Sequence, residues 1–308
     1  MKSPTGRSRG TLRPMTNLAA RLAAGERIVI DGGTGSEAEY LGAGTLRGSW
    51  TATIALDHPD ILRTVHESFI DAGAEVIFAN TYACSRHVLA QVGHEDKFEH
   101  LNRVGIELAL EARENRKAPH VVVSGSMSTT EQGGEVPPPE VSFPNYVEQA
   151  KIQIDAGAEM IALEMMRDVA TTRTILEATA SVDVPLWLGM SCIVQDGTPM
   201  LYFGTDPLED ALKLLDDYNI EALSIMHTEA SDVDACLDVV DQYWNGPTGV
   251  YAQVGTWDGK NWTFDPTISP HDHAELAKGW FDRGVQVVGG CCGIRPDHIS
   301  ALSSLGSN

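Results

Sequence analysis

The stretch Val285-Gln286-Val287-Val288 runs into Gly289-Gly290-Cys291-Cys292-Gly293 and then into Ile294-Arg295-Pro296-Asp297-His298-Ile299. A β-branched run, a pair of glycines and a segment led by proline predict a strand, a tight loop and a helix. Adjacent cysteines hardly reach disulfide geometry without strain. Two thiols at a strand end suit a soft metal such as zinc, and the alternative is a pair of small buried apolar groups. The flanking glycines, which permit close approach, favour a site.

The composition limits the classes of partner. The chain has 308 residues and a formal net charge of −21, which disfavours nucleic acid and anionic membranes, because both select basic patches. No apolar run approaches the roughly 18 residues that a membrane-spanning helix needs. The five cysteines are scattered and odd in number, so we expect reduced thiols and a cytoplasmic location. Residues 1–16 are predicted to be a disordered leader, with the folded domain at 17–308.

From Glu26 onward, strand-like and helix-like segments alternate. Eight strands alternating with helices predict an α/β protein with a parallel sheet, closed as a single (β/α)8 TIM-barrel domain. A doubly wound open sheet is the alternative, although no Gly-x-Gly-x-x-Gly motif follows the first strand. The predicted strands are Arg27–Asp31, Glu75–Asn80, His120–Ser126, Glu159–Glu164, Pro185–Cys192, Glu221–His227, Thr248–Val254 and Val285–Gly289. The predicted helices include Ile61–Ala72, Phe98–Arg116, Tyr146–Ala156, Asp168–Ala180, Leu208–Tyr218, Val233–Tyr243 and His273–Arg283, with loops at Thr129–Pro144 and Trp257–Pro270.

Polar and metal-binding residues recur where the predicted strands end, which is the face of a barrel that carries chemistry. Each has an ordinary explanation: Asp31 as a helix cap, Glu164 as an ion-paired carboxylate, and His227 as a hydrogen-bonded core histidine. Their convergence on one face favours a site. The strand ends are Asp31-Gly32-Gly33, Asn80-Thr81-Tyr82, Gly125-Ser126, Glu164, Ser191-Cys192, Met226-His227-Thr228, Gln253 and Cys291-Cys292.

A catalytic zinc takes three protein ligands and keeps one open position. Cys291 and Cys292 would supply two of them. Two residues are candidates for the third ligand: His227, which ends the sixth strand, and Cys192, which ends the fifth. Because the sixth strand lies nearer the eighth in a barrel, we predict His227 as the third ligand and keep Cys192 as the competitor.

These motifs resemble the homocysteine S-methyltransferase family, zinc-dependent barrels that include betaine, S-methylmethionine and methylfolate enzymes. The resemblance spans roughly Glu26 to Leu305. It implies Zn²⁺ as the cofactor and a small-molecule thiol and a methyl donor as partners, with a methyl group passing from a sulfonium or ammonium donor to homocysteine or a similar thiol. The matching motifs are Asp31-Gly32-Gly33-Thr34-Gly35, Asn80-Thr81-Tyr82, Glu164, Gly289-Gly290-Cys291-Cys292-Gly293 and Pro296-Asp297-His298-Ile299.

The resemblance also assigns roles to single residues. Asp31 and Glu164 match the family's contacts to the substrate amino group, Gly32 belongs to the same substrate-binding motif, and Tyr82 falls near the methyl donor. A cationic donor favours aromatic neighbours, for which Tyr82, Trp50 and Trp257 are candidates.

The chain departs from the family at three places. His227 stands where the third zinc-binding cysteine is expected, Ser126-Met127-Ser128-Thr129 replaces a Gly-Pro loop, and Ala252-Gln253 replaces Pro-Asn. The departures keep two alternatives open: a related methyltransferase or demethylase with another acceptor, and a catalytically silent zinc-binding barrel. A homo-oligomer is also left open.

Overall fold

The computed structural model describes residues 18–44, 51–130, 135–202, 204–254, 256–257, 262–263 and 268–305. The predicted leader and Trp50 lie outside these residues. Eight parallel strands form one sheet, and helices connect them. The strands are β1 (Ile28–Val29), β2 (Val76–Phe78), β3 (Val122–Ser128), β4 (Met160–Met166), β5 (Leu186–Gln195), β6 (Ala222–Glu229), β7 (Thr248–Gln253) and β8 (Val287–Val288).

The helices fill the spaces between successive strands and flank them. The α-helices are Leu18–Ala23, Thr34–Tyr40, Ile54–Asp57, Pro59–Asp71, Arg86–Gln91, Phe98–Asn115, Pro139–Ala156, Val169–Thr179, Leu208–Leu212, Ala230–Tyr243, Pro270–Arg283 and Pro296–Ser303, and 3₁₀ turns lie at Glu95–Lys97 and Leu215–Asp217. No helix within the described ranges is long and apolar enough to cross a membrane.

The sheet closes on itself. Its order is β1-β8-β7-β6-β5-β4-β3-β2, and a parallel bridge between Ile30 and Val76 joins the two ends. Glu75 N donates to the Val29 carbonyl at 2.7 Å, and Asp31 N donates to the Val76 carbonyl at 3.0 Å. The predicted (β/α)8 barrel is thus confirmed, and the doubly wound open sheet is wrong.

Alternation along the strands produces two buried layers, because successive side chains of a strand point to opposite faces. On β1, Ile28 packs inside the barrel while Val29 packs against the helices. The interior layer also receives Leu18 and Leu22 from the first helix. Both faces of each strand are therefore buried, as expected for a parallel sheet.

Two strands shift register near their carboxyl ends. The β4–β5 pairing shifts between Leu163 and Met166, and the β6–β7 pairing shifts between Met226 and Glu229. Within these shifts Met165 has φ +57° and His227 has φ +45°. Such bulges re-aim a side chain and are frequent beside active sites.

Several predicted boundaries differ from the structure. The Thr129–Pro144 loop is shorter than predicted, because the next helix begins at Pro139 and runs through Pro144. Proline is tolerated in the first turn of a helix, where its missing N–H has no intrahelical partner, so Pro139 starts the helix. The predicted Leu208–Tyr218 helix is an α-helix to Leu212 followed by a 3₁₀ turn. The Trp257–Pro270 segment contains a small antiparallel ribbon of Thr256–Trp257 and Trp262–Thr263.

A hairpin extends β5 beyond the barrel. Its returning strand, Thr198–Leu201, pairs antiparallel with β5. The connecting residues Asp196 and Gly197 both have positive φ, +50° and +78°. An Asp-Gly pair in this conformation is the preferred two-residue hairpin turn. The hairpin brings Tyr202 over the mouth of the barrel.

Candidate active site

The loops after β1 and β8 are locked together at the carboxyl end of the barrel. Gly33 N donates to the Ile294 carbonyl at 3.0 Å, and Gly290 N donates to the Asp31 carbonyl at 3.1 Å. A Cβ on Gly33 would come within 2.7 Å of the Cys291 carbonyl. Glycine is thus required for this contact, which joins the first and last motifs of the sequence into one structural unit.

His227, Cys291 and Cys292 come together at this end of the barrel. One ligand atom of each residue lies within 4.8 Å of the other two. The Cys291 Sγ is 3.6 Å from His227 Nδ1 and 3.8 Å from Cys292 Sγ. The hydrogen bond with Cys292 and burial raise the pKa of the Cys291 thiol well above its usual value, and His227 opposes the rise. A cation beside these sulfurs would reverse that penalty, because it favours the thiolate form.

The register shift in β6 positions the imidazole. His227 adopts the left-handed backbone region, where histidine is among the enriched non-glycine residues. The Ser191 hydroxyl donates to the His227 carbonyl at 3.0 Å and fixes this backbone. The Tyr202 ring lies with its centroid 5.5 Å from that of the imidazole. His227 is therefore held at the mouth by the strand on one side and by the hairpin on the other.

Cys192, the competing ligand, lies in the other layer of the barrel. Its side chain is 1% exposed and belongs to the core between the strands and the helices. Its thiol interacts with that of Cys236, and this contact together with burial raises the pKa of Cys192 well above its usual value. The thiol cluster with His227 therefore contains the last two cysteines and not Cys192.

Asp31 and Glu164 both enter the barrel at the same mouth. Asp31 Oδ2 accepts a hydrogen bond from Phe78 N at 2.8 Å, so it ties β1 to β2. The following helix has Gly33 as its N-cap. The alternative interpretation of Asp31 as a helix cap is therefore wrong. Glu164 accepts a short hydrogen bond from the Ser126 hydroxyl. It is not part of a salt bridge within the described ranges, which argues against the ion-paired alternative.

Burial destabilises the charged form of both acids. It raises the pKa of Glu164 to about 7, although hydrogen bonds from Ser126 and Tyr251 lower it. Burial raises the pKa of Asp31 well above its usual value, and the charge of Glu164 adds to the rise. The pKa of Asp31 is thus higher when Glu164 is ionised. A cationic group between them would relieve both effects.

Tyr82 and Gly32 occupy the same mouth. The Tyr82 hydroxyl lies 2.7 Å from Met165 Sδ. Burial raises the pKa of Tyr82, and the nearby Cys291 thiol contributes to the rise. A Cβ on Gly32 would come within 2.8 Å of the Phe69 ring. The carbonyl of Ile294 would lie at 2.4 Å from the same Cβ, so only glycine lets the β1 loop pack this closely against both the helix that carries Phe69 and the loop after β8.

Three further residues of the mouth were missed by the sequence analysis. Tyr251 precedes Gln253 by two positions on β7, so strand alternation could have placed it inside the barrel. The Asp-Gly turn could have signalled the hairpin that carries Tyr202. Arg167 follows β4, is 4% exposed and donates from Nη2 to the Thr129 carbonyl at 3.2 Å. No sequence pattern distinguishes such an arginine from a surface one.

The fold and the side chains at its mouth define a (β/α)8 barrel with a thiol-rich candidate metal site beside two buried acids. The profile of the homocysteine S-methyltransferase family matches residues 28–305. The chain therefore belongs to this family of methyltransferase enzymes.

Relatives agree with that assignment, and a solved structure shares the fold. Homocysteine S-methyltransferase 2 of Zea mays is 24% identical, over 91% of this chain and 90% of the relative. Homocysteine S-methyltransferase YbgG of Bacillus subtilis is 23% identical, over 90% of this chain and 93% of the relative. The fold is similar to that of the metallated form of the Escherichia coli homocysteine methyltransferase MmuM, with a TM-score of 0.79, 22% identity, and coverage of 94% and 99% of the two chains.

Proposed function

We propose that this protein is a zinc-dependent S-methyltransferase that moves a methyl group from a sulfonium or ammonium donor to homocysteine or a similar small thiol. The observation that carries the proposal is the cluster of His227, Cys291 and Cys292 at the mouth that Asp31 and Glu164 also enter. The cluster would hold the metal, and the two acids would hold the ammonium group of the acceptor. Because all five cysteines are free, we place the enzyme in a reducing compartment, the cytoplasm.

The donor set fits zinc. Two thiolates and one imidazole form a known type of catalytic zinc site, which keeps a fourth position open. Their ligand atoms lie within 4.8 Å of one another, and the two cysteines are soft ligands of the kind that select zinc over magnesium or calcium. When bound, the zinc deprotonates a coordinated thiol at neutral pH. A metallated form is also named for the similar Escherichia coli enzyme.

Asp31 and Glu164 would orient the acceptor. In the absence of a ligand, burial disfavours their charged forms, as the raised pKa values of both groups indicate. An ammonium group would attract both carboxylates, compensate one of their two charges and fix the acceptor carbon chain. The Ser126 hydroxyl donates a hydrogen bond to Glu164 and the Phe78 backbone N–H donates one to Asp31, which holds the two carboxylates in place. Such preorganisation holds the acceptor sulfur in position to react.

In the proposed transfer, an anionic acceptor sulfur reacts with a cationic methyl donor. The acceptor sulfur forms a bond to the methyl carbon while the donor's carbon–sulfur or carbon–nitrogen bond breaks, and its electron pair stays on the donor atom. The thiol proton has already left to solvent, so an anion and a cation become two neutral products. The low dielectric of a buried site favours such a loss of charge. His227 in place of a third thiolate removes one negative charge from the ligand set, and we therefore expect slower transfer than with three cysteines.

The test combines metal analysis with transfer assays. Purified protein should contain close to one zinc per chain and should methylate homocysteine from S-methylmethionine or glycine betaine. Zinc with turnover only on another thiol would favour the alternative acceptor. Zinc without turnover on any thiol would favour the silent barrel. Protein that folds and binds no zinc would contradict the proposal.

A further inference from the structure

The carboxyl end of β3 is held by side chains as well as by its neighbouring strands. β2 ends at Phe78, and Ala79 N still donates to the Ser124 carbonyl of β3 at 2.9 Å. The backbone after β2 then turns away, because Thr81 N donates to the Ala79 carbonyl at 2.7 Å. The Thr81 hydroxyl takes its place: it donates to the Ser126 carbonyl at 2.8 Å and accepts from Ser126 N at 2.9 Å. One hydroxyl thus satisfies both backbone groups of Ser126.

Ser126 is also the residue that contacts an acid of the proposed acceptor site. Its hydroxyl donates a hydrogen bond to Glu164 Oε2. A hydroxyl has a single proton to donate, so the position of the Ser126 backbone decides whether that proton reaches the carboxylate. Ser126 is 1% exposed and Thr81 is 0% exposed. Because both residues are buried, a displacement of Ser126 would be passed on to Glu164.

Three buried amide side chains support Thr81 and Ser126 from the helices outside the barrel. This amide cluster consists of Asn102, Gln149 and Gln153, all fully buried. Gln153 Nε2 donates to the Ser126 carbonyl at 3.2 Å, and Gln149 Nε2 donates to the Thr81 carbonyl at 3.5 Å. A Cβ on Gly125 would collide with the Gln153 amide, so the glycine beside Ser126 makes this contact possible.

The hydrogen bonds of the amide cluster fix its orientation. Asn102 Nδ2 donates to the carbonyls of Cys84 and Phe98, both at 2.9 Å. Its Oδ1 accepts from Gln153 at 2.9 Å and from Gln149 at 3.1 Å. Each of the three amide nitrogens thus uses both of its N–H groups, which leaves one orientation for each side chain. A buried polar network whose donors are all directed in this way is rigid.

The amide cluster is also unfavourable for packing alone. The Oε1 atoms of Gln149 and Gln153 have no hydrogen-bond partner within the described part of the chain. A buried acceptor without a partner destabilises the fold, whereas apolar side chains of the same shape would not. Buried groups of this kind call for an explanation besides stability, and their contacts lead to Ser126 and from there to Glu164.

We propose that Thr81, supported by the amide cluster, is a positioning residue of the acceptor site, which aims the Ser126 hydroxyl at Glu164. The inference rests on the proposed function, since that function gives Glu164 the acceptor ammonium group as its partner. A donor that is already fixed needs no reorganisation when a ligand binds. Thr81 acts through Ser126 and not through a contact of its own with the acceptor.

The same arrangement favours the charged form of Glu164. Burial raises the pKa of Glu164 to about 7, and hydrogen bonds from Ser126 and Tyr251 lower it. Because a hydrogen bond to the charged form stabilises that form, a misdirected Ser126 hydroxyl would raise the pKa further. The acceptor ammonium group needs the charged carboxylate. A positioning role therefore predicts a change in the pH dependence of binding, which a loss of packing alone would not cause.

The experiment compares wild type with Thr81→Val, which removes the hydroxyl and keeps the branched shape, and with Thr81→Ser, which keeps the hydroxyl. Calorimetry between pH 6 and 8 measures the binding of homocysteine and of its deaminated thiol analogue. For Thr81→Val we expect the homocysteine affinity at pH 6 to fall about three- to tenfold, less than the outright loss of a hydrogen bond to a charged group would cause. The loss should shrink toward pH 8. The analogue should bind as it does to wild type, and Thr81→Ser should restore homocysteine binding.

A second measurement needs no ligand. Carbon NMR of protein labelled at the glutamate carboxyl groups follows the ionisation of Glu164, and the variant Glu164→Gln identifies its signal. In Thr81→Val the pKa should rise by about 0.5 to 1, which corresponds to the expected change in affinity, and Thr81→Ser should return it. Asp31 and Tyr251 also interact with Glu164, but both are unchanged in these variants.

Thr179→Val is the matched control. Thr179 is also fully buried, and its hydroxyl donates to a backbone carbonyl, that of Ile175 at 2.8 Å. This bond lies within one helix and leads to no residue of the site. We therefore expect Thr179→Val to leave both homocysteine affinity and the pKa of Glu164 unchanged. Thermal unfolding compares the stability of the two valine variants.

Other outcomes would overturn the assignment. An equal loss for homocysteine and its deaminated analogue at every pH would show that Thr81 only stabilises the fold, as would a Thr81→Ser variant that restores nothing. If Thr81→Val does not fold, Gln153→Met decides, because it removes the support of the Ser126 carbonyl with a side chain of similar length. An unchanged Glu164 pKa in Gln153→Met would then contradict the proposal.

The two proposals fail separately. A raised Glu164 pKa in Thr81→Val, together with a wild type that binds no homocysteine, would support the positioning of Glu164 and contradict the proposed function. Methyl transfer to homocysteine, with affinity and pKa unchanged in Thr81→Val, would support the proposed function and overturn the role of Thr81.

Discussion

The ends of β4 and β6 form a matched pair within one barrel. Each strand shifts register against its neighbour, and each contains a residue with a left-handed backbone, Met165 in β4 and His227 in β6. In β6 the left-handed residue itself faces the thiol of Cys291 at 3.6 Å. In β4 it is the preceding residue, Glu164, that turns toward the interior and accepts the Ser126 hydroxyl. Glu164 points inward by the ordinary alternation of β4, as Met160 and Ala162 do, whereas His227 follows the inward-facing Met226 directly and reaches the mouth only because the backbone is irregular there.

This difference shows that the backbone aims the side chain while the residue type decides the chemistry. Sparsely populated backbone conformations cluster at functional sites, and here two of them flank one opening. The β6 half contains the soft donors of the proposed metal site, and the β4 half contains an acid whose charged form is disfavoured by burial. In the proposed function the first half activates the acceptor sulfur and the second holds the acceptor amine. The residues of each half can be substituted without changing those of the other half, so the comparison can be tested.

The largest effect is expected in the β6 half. Replacing Cys291 and Cys292 together by alanine should abolish zinc binding. His227→Ala should weaken it by more than the roughly 10- to 100-fold cost of losing an outer-shell partner, because it removes a ligand itself. His227→Cys should keep zinc and accelerate methyl transfer. Zinc per chain and competition with a chelator measure these effects.

Cys192→Ala is the matched control, because it also deletes one thiol at the end of a barrel strand. We expect its zinc affinity to remain close to that of the wild type. A larger loss of zinc in Cys192→Ala than in His227→Ala would show that Cys192 is the third ligand and that His227 only lies near the metal.

A smaller effect is expected in the β4 half. Glu164→Gln and Asp31→Asn each leave the acceptor ammonium with one carboxylate, and losing one partner of a buried charge contact costs about 2–5 kcal/mol of binding. Zinc content should stay at the wild-type level in both variants. Calorimetry with homocysteine tests this, with its deaminated thiol analogue as the matched ligand. An unchanged affinity in Glu164→Gln would show that this carboxylate does not bind the acceptor ammonium group.

The sequence predicted the barrel and the residues at its mouth because both follow from local patterns. Alternating apolar runs predict strands, and adjacent cysteines after β8 mark a strand end. The register shifts at Met165 and His227 were not predictable, since no glycine marks these left-handed positions. The burial of Arg167 depends on Thr129, which is distant along the chain. The start of the helix at Pro139 was missed because a run of prolines was interpreted as a loop.

Acceptor binding by the β4 half should also depend on pH. Burial raises the pKa of Glu164 to about 7, so below this pH the free site holds a proton that a bound ammonium group must displace. Acceptor affinity should therefore fall as pH drops below 7, by about tenfold per pH unit while one proton is released. Above pH 7 the slope should become shallower rather than vanish, because a thiol with an ordinary pKa of about 8.5 also releases its proton when it binds the zinc. Calorimetry between pH 6 and 8, with zinc measured in each buffer, follows this change.

Glu164→Gln provides the control for this pH dependence, because glutamine does not titrate. The variant should show a weaker affinity with a shallower slope. Asp31, whose pKa is also raised, and the proton released by the acceptor thiol would account for the slope that remains. An identical slope in the variant and the wild type would assign the pH dependence to another group.

The smallest effect concerns the backbone irregularity that the two halves share. A left-handed conformation costs a non-glycine residue about 1–2 kcal/mol, and glycine escapes this cost. Met165→Gly loses the contacts of a partly buried side chain but gains this relief, so the free energy of unfolding should change by no more than about 1 kcal/mol. Met166→Gly is the adjacent control: Met166 is fully buried and its φ is not positive, so we expect a loss of about 3 kcal/mol or more. Chemical denaturation with zinc removed measures both, and His227→Gly, measured in the same way, should resemble Met165→Gly.

If Met165→Gly were as destabilising as Met166→Gly, the irregularity in β4 would carry no strain, and the two strand ends would differ in their backbones as well as in their chemistry.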